Sequence, residues 1–492
     1  MPSRFKILNR LEKGSAVAVD IALDGLLFVG IINLWAHACL GFDVVLGSRA
    51  GGRMRKNNVF WWADSPLEEL TREPVRSTVD AVIVGAGYTG LSAAIRLARA
   101  GRSVQVFDRQ RTGEGASTRN GGITSGNLRP GRAELIRRFG EQRALAILAE
   151  SKAAREGLYR FIAEEKIDCD FALTGRFSGA STRGDYDRLA REAEALHRTL
   201  GIDAYEVPWA DQRSVLGTDF YFGGAVRMDI GGLHPAKLHR EMLRLALAAG
   251  ATVHDRTAVH GIRSESDAYE VKTDRGLVRA RDVIVGVNGY ADASDRWLRR
   301  RLVPVRSRII ATEPLSANLM GELMPRRMMC SETRKLHYYY RPSPDGRRIL
   351  FGGRDGTIAG DPDWPTGSLR RALIDIFPVL ENTEITHTWF GNVAMNRDMV
   401  PRLFTRRGIR YAAGYCGSGV VWARWAGDKA ARQILEDTSG ASALDFRPPR
   451  AVPLFAGKPW FMPAVFGWLS VQDKLAKLRA CAGLSRPSER RV

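Results

Sequence analysis

The feature that most constrains the fold of this chain is a glycine-rich turn between an apolar run and a helical segment. Residues 79–84 have the apolar character of a buried parallel strand, and the next six residues read Gly-Ala-Gly-Tyr-Thr-Gly. Residues 91–100 follow with helical spacing, closed by Gly101 as a C-terminal cap. A second short apolar strand is expected at 104–107. This order predicts a βαβ unit of a parallel sheet.

The spacing of the three glycines suits a bound diphosphate. Gly85 permits the tight turn, Gly87 lets the backbone approach the phosphates, and Gly90 allows the helix to pack closely on the strand. The free N–H groups and the dipole at the helix N-terminus favour an anion. Tyr88 and Thr89 are therefore also expected to contact the ligand.

Asp108 ends the second strand, where a carboxylate can accept hydrogen bonds from a ribose diol. An acidic residue at this position disfavours a ribose phosphate, so NADP is not expected. Residues 109–122 form a glycine-rich loop rather than another helix, which favours the extended cofactor FAD over NAD. The residues of this loop that are expected to contact FAD are Arg109, Gly115, Ala116, Ser117, Arg119, Asn120, Gly121 and Gly122.

The remaining patterns predict an α/β fold with mixed α+β character, in which a Rossmann-like FAD-binding domain is interleaved with a mixed β-sheet substrate domain. Helices are predicted at 133–164, 184–200, 235–249 and 419–435, and strands at 252–262, 269–273, 277–285, 302–313, within 335–354 and at 409–413. The predicted FAD-binding parts are 58–165, 228–302 and 391–440, and the predicted substrate parts are 166–227 and 303–390.

The two ends of the chain fall outside these domains. Residues 441–492 form a tail, and residues 1–57 form an extension expected to be disordered or a weak membrane segment. Within it, residues 25–42 carry no Asp, Glu, Lys or Arg, but Asn33, His37 and three glycines dilute their apolar character. A spanning helix needs about 20 predominantly apolar residues. A cytoplasmic enzyme is therefore expected, with membrane contact possible only through 25–42.

Net charge and the positions of cysteine and histidine limit which binding partners and metal or disulfide sites are expected. The net charge is +20, but no basic run alternates with stacking aromatics, so a nucleic-acid partner is not expected. The five cysteines are never paired as C-x-x-C, and the eight histidines include no H-x-x-x-H pair. Neither a disulfide framework nor a metal site is expected.

Beyond the first turn, the sequence resembles the D-amino-acid-oxidase-like FAD oxidoreductases, in the branch of glycine oxidase, sarcosine oxidase and gamma-glutamylputrescine oxidoreductase. The resemblance covers about residues 58–475. It rests on the form G-x-G-A-S-x-R-N-G-G at 113–122 and on ordered matches at 231–235, 282–289, 311–314, 351–354, 389–391 and 414–419. It implies an FAD-dependent amine or amino-acid oxidase or dehydrogenase.

In this family the last glycine turn precedes a helix that points its N-terminus at the flavin pyrimidine. Negative charge on reduced flavin would be stabilised by such a helix end. Non-covalent FAD is expected, because neither Cys330 nor Cys416 occupies a position that we can assign to covalent attachment. The further expected FAD contacts are Val259, Asn288, Gly414, Gly417, Ser418, Gly419 and Val420.

The substrate site is predicted at residues 337–341, which read His-Tyr-Tyr-Tyr-Arg. On a strand, alternate residues share one face, so Tyr339 and Arg341 would stand beside His337. The expected catalytic residues are Tyr339, Arg341 and Arg354, where an arginine fork would bind a substrate carboxylate and Arg397 is a rival for that role. Cross-strand aromatic packing with solvated arginines explains the same pattern equally well.

The predicted reaction is hydride transfer to flavin N5 from the C–H bond next to the nitrogen of a small amine or amino acid. The electron acceptor is oxygen or another, unidentified compound. Three alternatives stay open: an RNA-modifying flavin oxidase, a flavin hydroxylase, and a non-catalytic flavin-binding subunit of a heteromeric amine oxidase. The hydroxylase is disfavoured, because residues 414–419 contain no acidic residue.

Overall fold

The computed structural model describes residues 59–354 and 367–484. The helices are α1 (Phe60–Asp64), α2 (Tyr88–Arg99), α3 (Ala116–Arg119), α4 (Arg132–Phe139), α5 (Glu141–Glu164), α6 (Arg183–Leu200), α7 (Pro235–Ala248), α8 (Arg296–Arg299), α9 (Ala317–Leu323), α10 (Gly367–Ile376), α11 (Gly419–Ile434) and α12 (Met462–Leu484). The strands are β1 (Thr78–Val84), β2 (Val104–Phe107), β3 (Arg176–Gly179), β4 (Ala204–Val207), β5 (Gly224–Arg227), β6 (Thr252–His254), β7 (Val259–Ser264), β8 (Tyr269–Thr273), β9 (Gly276–Val285), β10 (Val303–Thr312), β11 (Met329–Glu332), β12 (Tyr339–Pro342), β13 (Ile349–Gly353), β14 (Ile385–Met395), β15 (Arg402–Arg406) and β16 (Ile409–Ala413).

These strands form two sheets that take their members alternately from the chain. The first has the order β15-β16-β9-β1-β2-β6, with β7 and β8 joined to it through β9. The second has the order β14-β10-β13-β12-β11-β3-β5-β4. In the first sheet β1 pairs in parallel with both β2 and β9. The interleaved α/β architecture predicted from the sequence is thereby confirmed.

Helix α2 lies at the centre of the first domain, between the sheet and two other helices. Its residues Leu91, Ala93, Ala94 and Leu97 are all buried, because α7 and α11 pack on the sides that the sheet leaves open. A Cβ on Gly427 of α11 would lie 2.1 Å from the carbonyl oxygen of Thr89. The contact between the two helices therefore depends on glycine, and it places the first turn of α2 against the middle of α11.

Two predicted elements are divided at residues with positive φ. The helix expected at 133–164 is two helices, because Gly140 has φ +80° and ends α4 before α5 begins. The strand expected at 252–262 is likewise two strands, β6 and β7, which are separated by a turn containing Arg256 at φ +45°. In both cases the apolar pattern continues through a break that the backbone conformation imposes.

One strand crosses a predicted domain boundary, and another begins later than its sequence pattern predicts. Strand β14 runs to Met395, five residues past the domain boundary expected at 390. Strand β12 begins only at Tyr339, so His337 precedes the strand and does not share its alternation. The cause is hydrogen bonding to side chains: Asp473 accepts from the N–H groups of Lys335 and Leu336, and Glu332 accepts from that of Tyr338.

The extension at 1–57 and its apolar stretch at 25–42 lie outside the described residues. Within residues 59–354 and 367–484, no helix combines the length and apolar character needed to cross a membrane.

Candidate active site

The glycine turn after β1 has the geometry that its sequence predicts. Gly85 has φ +101°, and its N–H donates to the carbonyl oxygen of Phe107 at the end of β2. A Cβ on Gly90 would lie 1.8 Å from the carbonyl oxygen of Gly85, so only glycine fits where α2 meets the turn. A Cβ on Gly87 would lie 2.8 Å from Ser117 Oγ, which accepts from the N–H of Tyr88. The turn is thus a cradle that side chains would fill.

Asp108 lies beside this turn at the end of β2. Its Oδ2 accepts from Ala86 N at 2.8 Å, and its Oδ1 accepts from Gln110 N at 3.0 Å. Burial raises the pKa of Asp108, while the two backbone hydrogen bonds and the charge of Arg109 act in the opposite direction. The carboxylate is therefore fixed in position and is available to a ligand that lies over the turn.

A cavity of about 790 Å³ is lined by the ion-paired residues Arg109 and Asp292, by the glycine turn and by the turn that precedes α11. Most of the residues predicted to contact FAD line it. They are Gly85, Gly87, Tyr88, Thr89, Asp108, Arg109, Gly115, Ala116, Ser117, Asn120, Val259, Asn288, Gly417, Gly419 and Val420.

The other residues predicted to contact FAD lie behind this lining and hold it in place. Arg119 donates from Nε to the carbonyl oxygen of Glu114 and stacks over Trp62. Gly414 donates its N–H to Asn288 Oδ1 at 2.8 Å, and Ser418 Oγ donates to the carbonyl oxygen of Asn127 at 2.6 Å. The remaining three, whose glycine backbones permit close contact with neighbouring segments, are Gly90, Gly121 and Gly122.

Several lining residues were not predicted from the sequence. Tyr290 and Asp292 follow β9, and Asn392 lies on β14 of the second sheet. Tyr415 lies within the predicted last glycine turn, and its hydroxyl is 2.7 Å from Thr89 Oγ1. Only Tyr415 had a local signal, because it lies between glycines that were identified. The others come to the cavity through sheet pairing between distant segments.

Tyr339 stands where the second sheet meets the 109–122 loop. Its hydroxyl is 3.0 Å from Ser307 Oγ, and its ring lies against Gly121 and Gly352. A Cβ on Gly352 would lie 2.4 Å from Tyr339 Cζ. Burial raises the pKa of Tyr339, so the phenol is neutral near pH 7. The ring is a fixed, uncharged wall beside the cofactor loop.

Arg354 and Arg129 bring two positive charges to the same region. Arg354 follows β13, and burial together with Arg129 lowers its pKa to about 9. Arg129 donates from Nε to the carbonyl oxygen of Cys416 at 2.9 Å, and its Nη1 lies 3.2 Å from Nε2 of His337. Burial and the neighbouring arginines hold the pKa of His337 well below its usual range, so this imidazole is neutral and accepts from Arg129.

Arg341 points elsewhere, contrary to the sequence prediction. Its side chain is buried and lies near Trp61, and its guanidinium donates to the carbonyl oxygens of Pro342 and, at 2.8 Å, of Leu233. These carbonyls already occupy the fork that would bind a carboxylate. Tyr339 and Arg341 both lie on β12, but backbone carbonyl oxygens from distant segments take the donors of Arg341.

A polar cluster at the start of α7 is held by charged partners within the described residues. Asp64, Asp170 and His234 could together hold a metal ion by their spacing. However, the ammonium of Lys237 lies 3.4 Å from Asp64 and 3.1 Å from Asp170, and so supplies the positive charge there. His234 caps α7 by accepting from Lys237 N. Cys169, Cys330 and Cys416 are buried, free thiols.

A glycine-rich turn before a helix N-terminus, a carboxylate at the end of the next parallel strand and a cavity that reaches a second sheet are typical of dinucleotide-dependent flavoproteins. FAD fits these residues, because the glycine cradle, Asp108 and the α11 turn line one continuous cavity. Residues 80–433 match the family described as FAD dependent oxidoreductase, DAO. The chain belongs to this family, so it is an oxidoreductase that uses FAD, as predicted.

Individual relatives agree with this assignment. The chain is 30% identical over 427 residues to OrdL of Rhizobium meliloti, named as an oxidoreductase, which covers 84% of this chain and 97% of that protein. It is 31% identical over 375 residues to gamma-glutamylputrescine oxidoreductase of Escherichia coli, covering 75% of this chain and 86% of that protein. Among solved structures, glycine oxidase from Geobacillus kaustophilus matches with a TM-score of 0.62 at 21% identity, over 77% of this chain and 99% of that one.

Proposed function

We propose that this enzyme oxidises the C–N bond of a small amine or amino acid that carries a carboxylate. The observation that carries the proposal is the meeting of Tyr339 and two arginines with the turn that precedes α11. A Cβ on Gly417, which lines the cofactor cavity, would lie 2.8 Å from Arg129 Nη2. Groups suited to bind a carboxylate and an amine thus lie beside a residue that lines the cavity.

FAD, when bound, supplies a hydride acceptor at its N5 atom. In the substrate, the C–H bond next to nitrogen breaks, its electron pair leaves with the hydrogen, and the nitrogen lone pair forms a C=N bond. Water then hydrolyses this product to a carbonyl compound and an amine. The reaction needs no covalent nucleophile, which agrees with the buried, free state of the described cysteines.

The chain's residues supply binding and electrostatic stabilisation. The N-terminus of α11 at Gly419, with the backbone at 417–420, offers N–H groups and a positive helix end to negative charge on the cofactor ring. The planar guanidinium of Arg354 is suited to bind a carboxylate through two parallel hydrogen bonds. Together they orient an amino acid between the cofactor and the second sheet.

Tyr339 would favour the reactive, neutral form of the amine. A free alkyl amine titrates near 10.4, so its deprotonation at pH 7 costs about 4–5 kcal/mol. A dry wall formed by the Tyr339 ring, together with the two nearby positive charges, disfavours an ammonium ion and so reduces this cost.

Non-covalent binding of FAD is part of the proposal. Cys416 lies in the turn before α11, but its Sγ contacts the carbonyl oxygen of Gly414 and packs in an apolar cluster with Val303 and Val305. Burial raises the pKa of the Cys416 thiol, which leaves it a poor nucleophile. Acid precipitation of the purified protein should release all of the flavin as FAD.

The names of relatives support an amine or amino-acid substrate, since they include gamma-glutamylputrescine oxidoreductase and glycine oxidase. Sarcosine oxidase subunit beta of Rhodobacter capsulatus is 23% identical over 344 residues. The alternative hypothesis is therefore that this chain is the flavin-binding subunit of a larger enzyme. Purification of the chain alone, followed by reduction of its flavin by an amine, separates these two roles.

The test is an anaerobic stopped-flow screen of amines and amino acids, with bleaching of the oxidised flavin band as the signal. We expect reduction by at least one carboxylate-bearing amine. Replacement Arg354→Met should raise its apparent dissociation constant about 10- to 100-fold, as loss of a charge-assisted pair does. Reduction by NADPH but by no amine would instead support a flavin hydroxylase and contradict the proposal.

A further inference from the structure

We propose that the substrate carries two carboxylates, one bound by Arg354 and the other by Arg129, with the oxidised C–N bond between them. This inference rests on the proposed function and makes its substrate class specific. It assigns a second anion-binding position to the turn before α11, held by Arg129 and His337. The ligand class is an amine flanked by carboxylates, either an amino dicarboxylate or an N-carboxyalkyl amino acid.

Arg129 is held in a fixed orientation by neutral partners. Its Nε donates to the carbonyl oxygen of Cys416, and its Nη1 donates to the imidazole of His337. Its Nη2 is directed to Gly417, where glycine leaves the approach open. Arg129 is exposed, and desolvation by the surrounding protein lowers its pKa. This is the arrangement of a preorganised anion ligand.

Arg354 reaches the region from a different element, the end of β13. Within the part of the chain that the structure describes, neither Arg354 nor Arg129 forms an ion pair with an aspartate or glutamate. The acidic groups that contact neighbouring arginines are already used, as in the pair of Asp229 with Arg155 and Arg227. Two like charges therefore face one region without compensation from the described protein.

The charge balance favours a dianion over a single carboxylate. Each of the two guanidiniums lowers the pKa of groups in this region: Arg129 lowers that of Arg354, and both lower that of His337. One carboxylate would leave one of the two guanidiniums without an anionic partner. Two carboxylates neutralise both guanidiniums and give each planar fork a partner of matching geometry.

The test compares matched ligands that differ by one carboxylate. Sarcosine and iminodiacetate have the same N-substituted glycine skeleton, while glutamine and glutamate, each as both enantiomers, differ only at the side-chain end. We expect the rate constant for flavin reduction divided by the apparent dissociation constant to be about 10- to 100-fold higher for the dicarboxylate of at least one pair. The two pairs separate N-carboxyalkyl from side-chain carboxylates.

Variants of Arg129 test whether this residue binds the second carboxylate. Arg129→Met should reduce this ratio for the dicarboxylate more than for its monocarboxylate partner, and Arg129→Lys should restore part of the preference. Arg326→Met is the matched control, because Arg326 is exposed and donates to Tyr205 Oη in a distant part of the second sheet. FAD content, measured after acid release, verifies that each variant is loaded.

Two results would overturn the inference. One is a wild-type enzyme with no preference for either dicarboxylate. The other is an equal loss on both ligands in Arg129→Met, accompanied by weaker formation of the flavin–sulfite adduct, which would assign Arg129 to the cofactor. Binding of succinate, glutarate and butyrate can be measured through the change in the flavin spectrum, without turnover. This measurement keeps the test independent of the proposed oxidation. Tighter binding of the diacids would persist even if no amine reduced the flavin.

Discussion

Asp108 and Arg129 differ in how far the sequence reveals them. Asp108 follows a strand and lies at a fixed spacing from three glycines, so its place beside the turn could be predicted from local pattern. Arg129 follows the glycine-rich loop but belongs to no repeated or periodic pattern. Its orientation depends on Cys416 and His337, which are more than 200 residues away in the chain. Such a residue is visible only once the fold brings its partners together.

Asp108→Ala should weaken FAD binding by about 1.5–3 kcal/mol, which corresponds to about a 10- to 100-fold higher dissociation constant. The reason is the loss of a charged acceptor that Ala86 N and Gln110 N hold in place. Asp267→Ala is the control, since Asp267 is an exposed partner of Arg279. Titration of apoprotein with FAD gives both constants. Equal affinity in the Asp108 variant and the wild type would remove this carboxylate from the cofactor site.

Gly87→Val should abolish FAD retention, because even the first carbon of the new side chain would meet Ser117 Oγ at 2.8 Å. The turn would then lose the open path over the N-terminus of α2. Flavin absorbance per protein after gel filtration measures retention, and circular dichroism verifies that the variant is folded. A folded, fully yellow Gly87→Val protein would contradict the assignment of this turn.

At the scale of elements, the β1–α2–β2 unit and α11 were predicted closely, whereas the start of β12 was not. Apolar runs and glycines are local signals, and they determine the first group almost alone. The segment before β12 is instead shaped by Glu332 and by Asp473, a residue of the distant helix α12. Sequence alternation cannot register a hydrogen bond from so far along the chain. The role of Arg341 was missed for a similar reason, because its partners, the carbonyl oxygens of Gly122 and Leu233, also lie far away in the chain.

Strand β13 provides a test of the substrate wall that needs no change in a charged residue. Successive residues face opposite sides of a strand, so Gly352 lies against Tyr339 and Gly353 lies against Tyr338. Gly352→Ala should displace Tyr339 and lower the rate of flavin reduction, with FAD content retained. Gly353→Ala, the matched control, should instead destabilise the packing around Tyr338 and change the reduction rate less. Stopped-flow rates and urea unfolding of both variants distinguish the two effects.

At the scale of the whole molecule, the first described residues already belong to the core. Val59 and Trp61 are fully buried, and the Nε1 groups of Trp61 and Trp62 donate to Asn120 O and Thr118 Oγ1 in the 109–122 loop. Helix α1 thus supports the cofactor loop directly. The pattern at the sequence level suggested only that the family-like region starts near Trp61.

Deletion of residues 1–57 should therefore leave a folded, FAD-loaded enzyme, whereas deletion of residues 1–64 should not. The second deletion removes α1 and with it two indole hydrogen bonds to the cofactor loop. Flavin content and melting temperature of the two truncations measure the difference. If the shorter deletion also lost FAD, the extension would contribute to the fold. If the full-length protein associated with membranes and the shorter deletion did not, the cytoplasmic prediction would be wrong.

Because the two sheets alternate along the chain, segments that line the same cavity are synthesised at different times. The glycine turn and Asp108 are made early, but β16 and the turn before α11, which close the same cavity, follow about 300 residues later. At about 5–20 residues per second, ribosomes take about 15–60 s to cover that interval. Until then Ile284 and Val285 of β9 lack the β16 partner with which they pair in the finished sheet. Until the nascent chain can bind its flavin, the unpaired edge of β9 must therefore be prevented from pairing with strands of other chains.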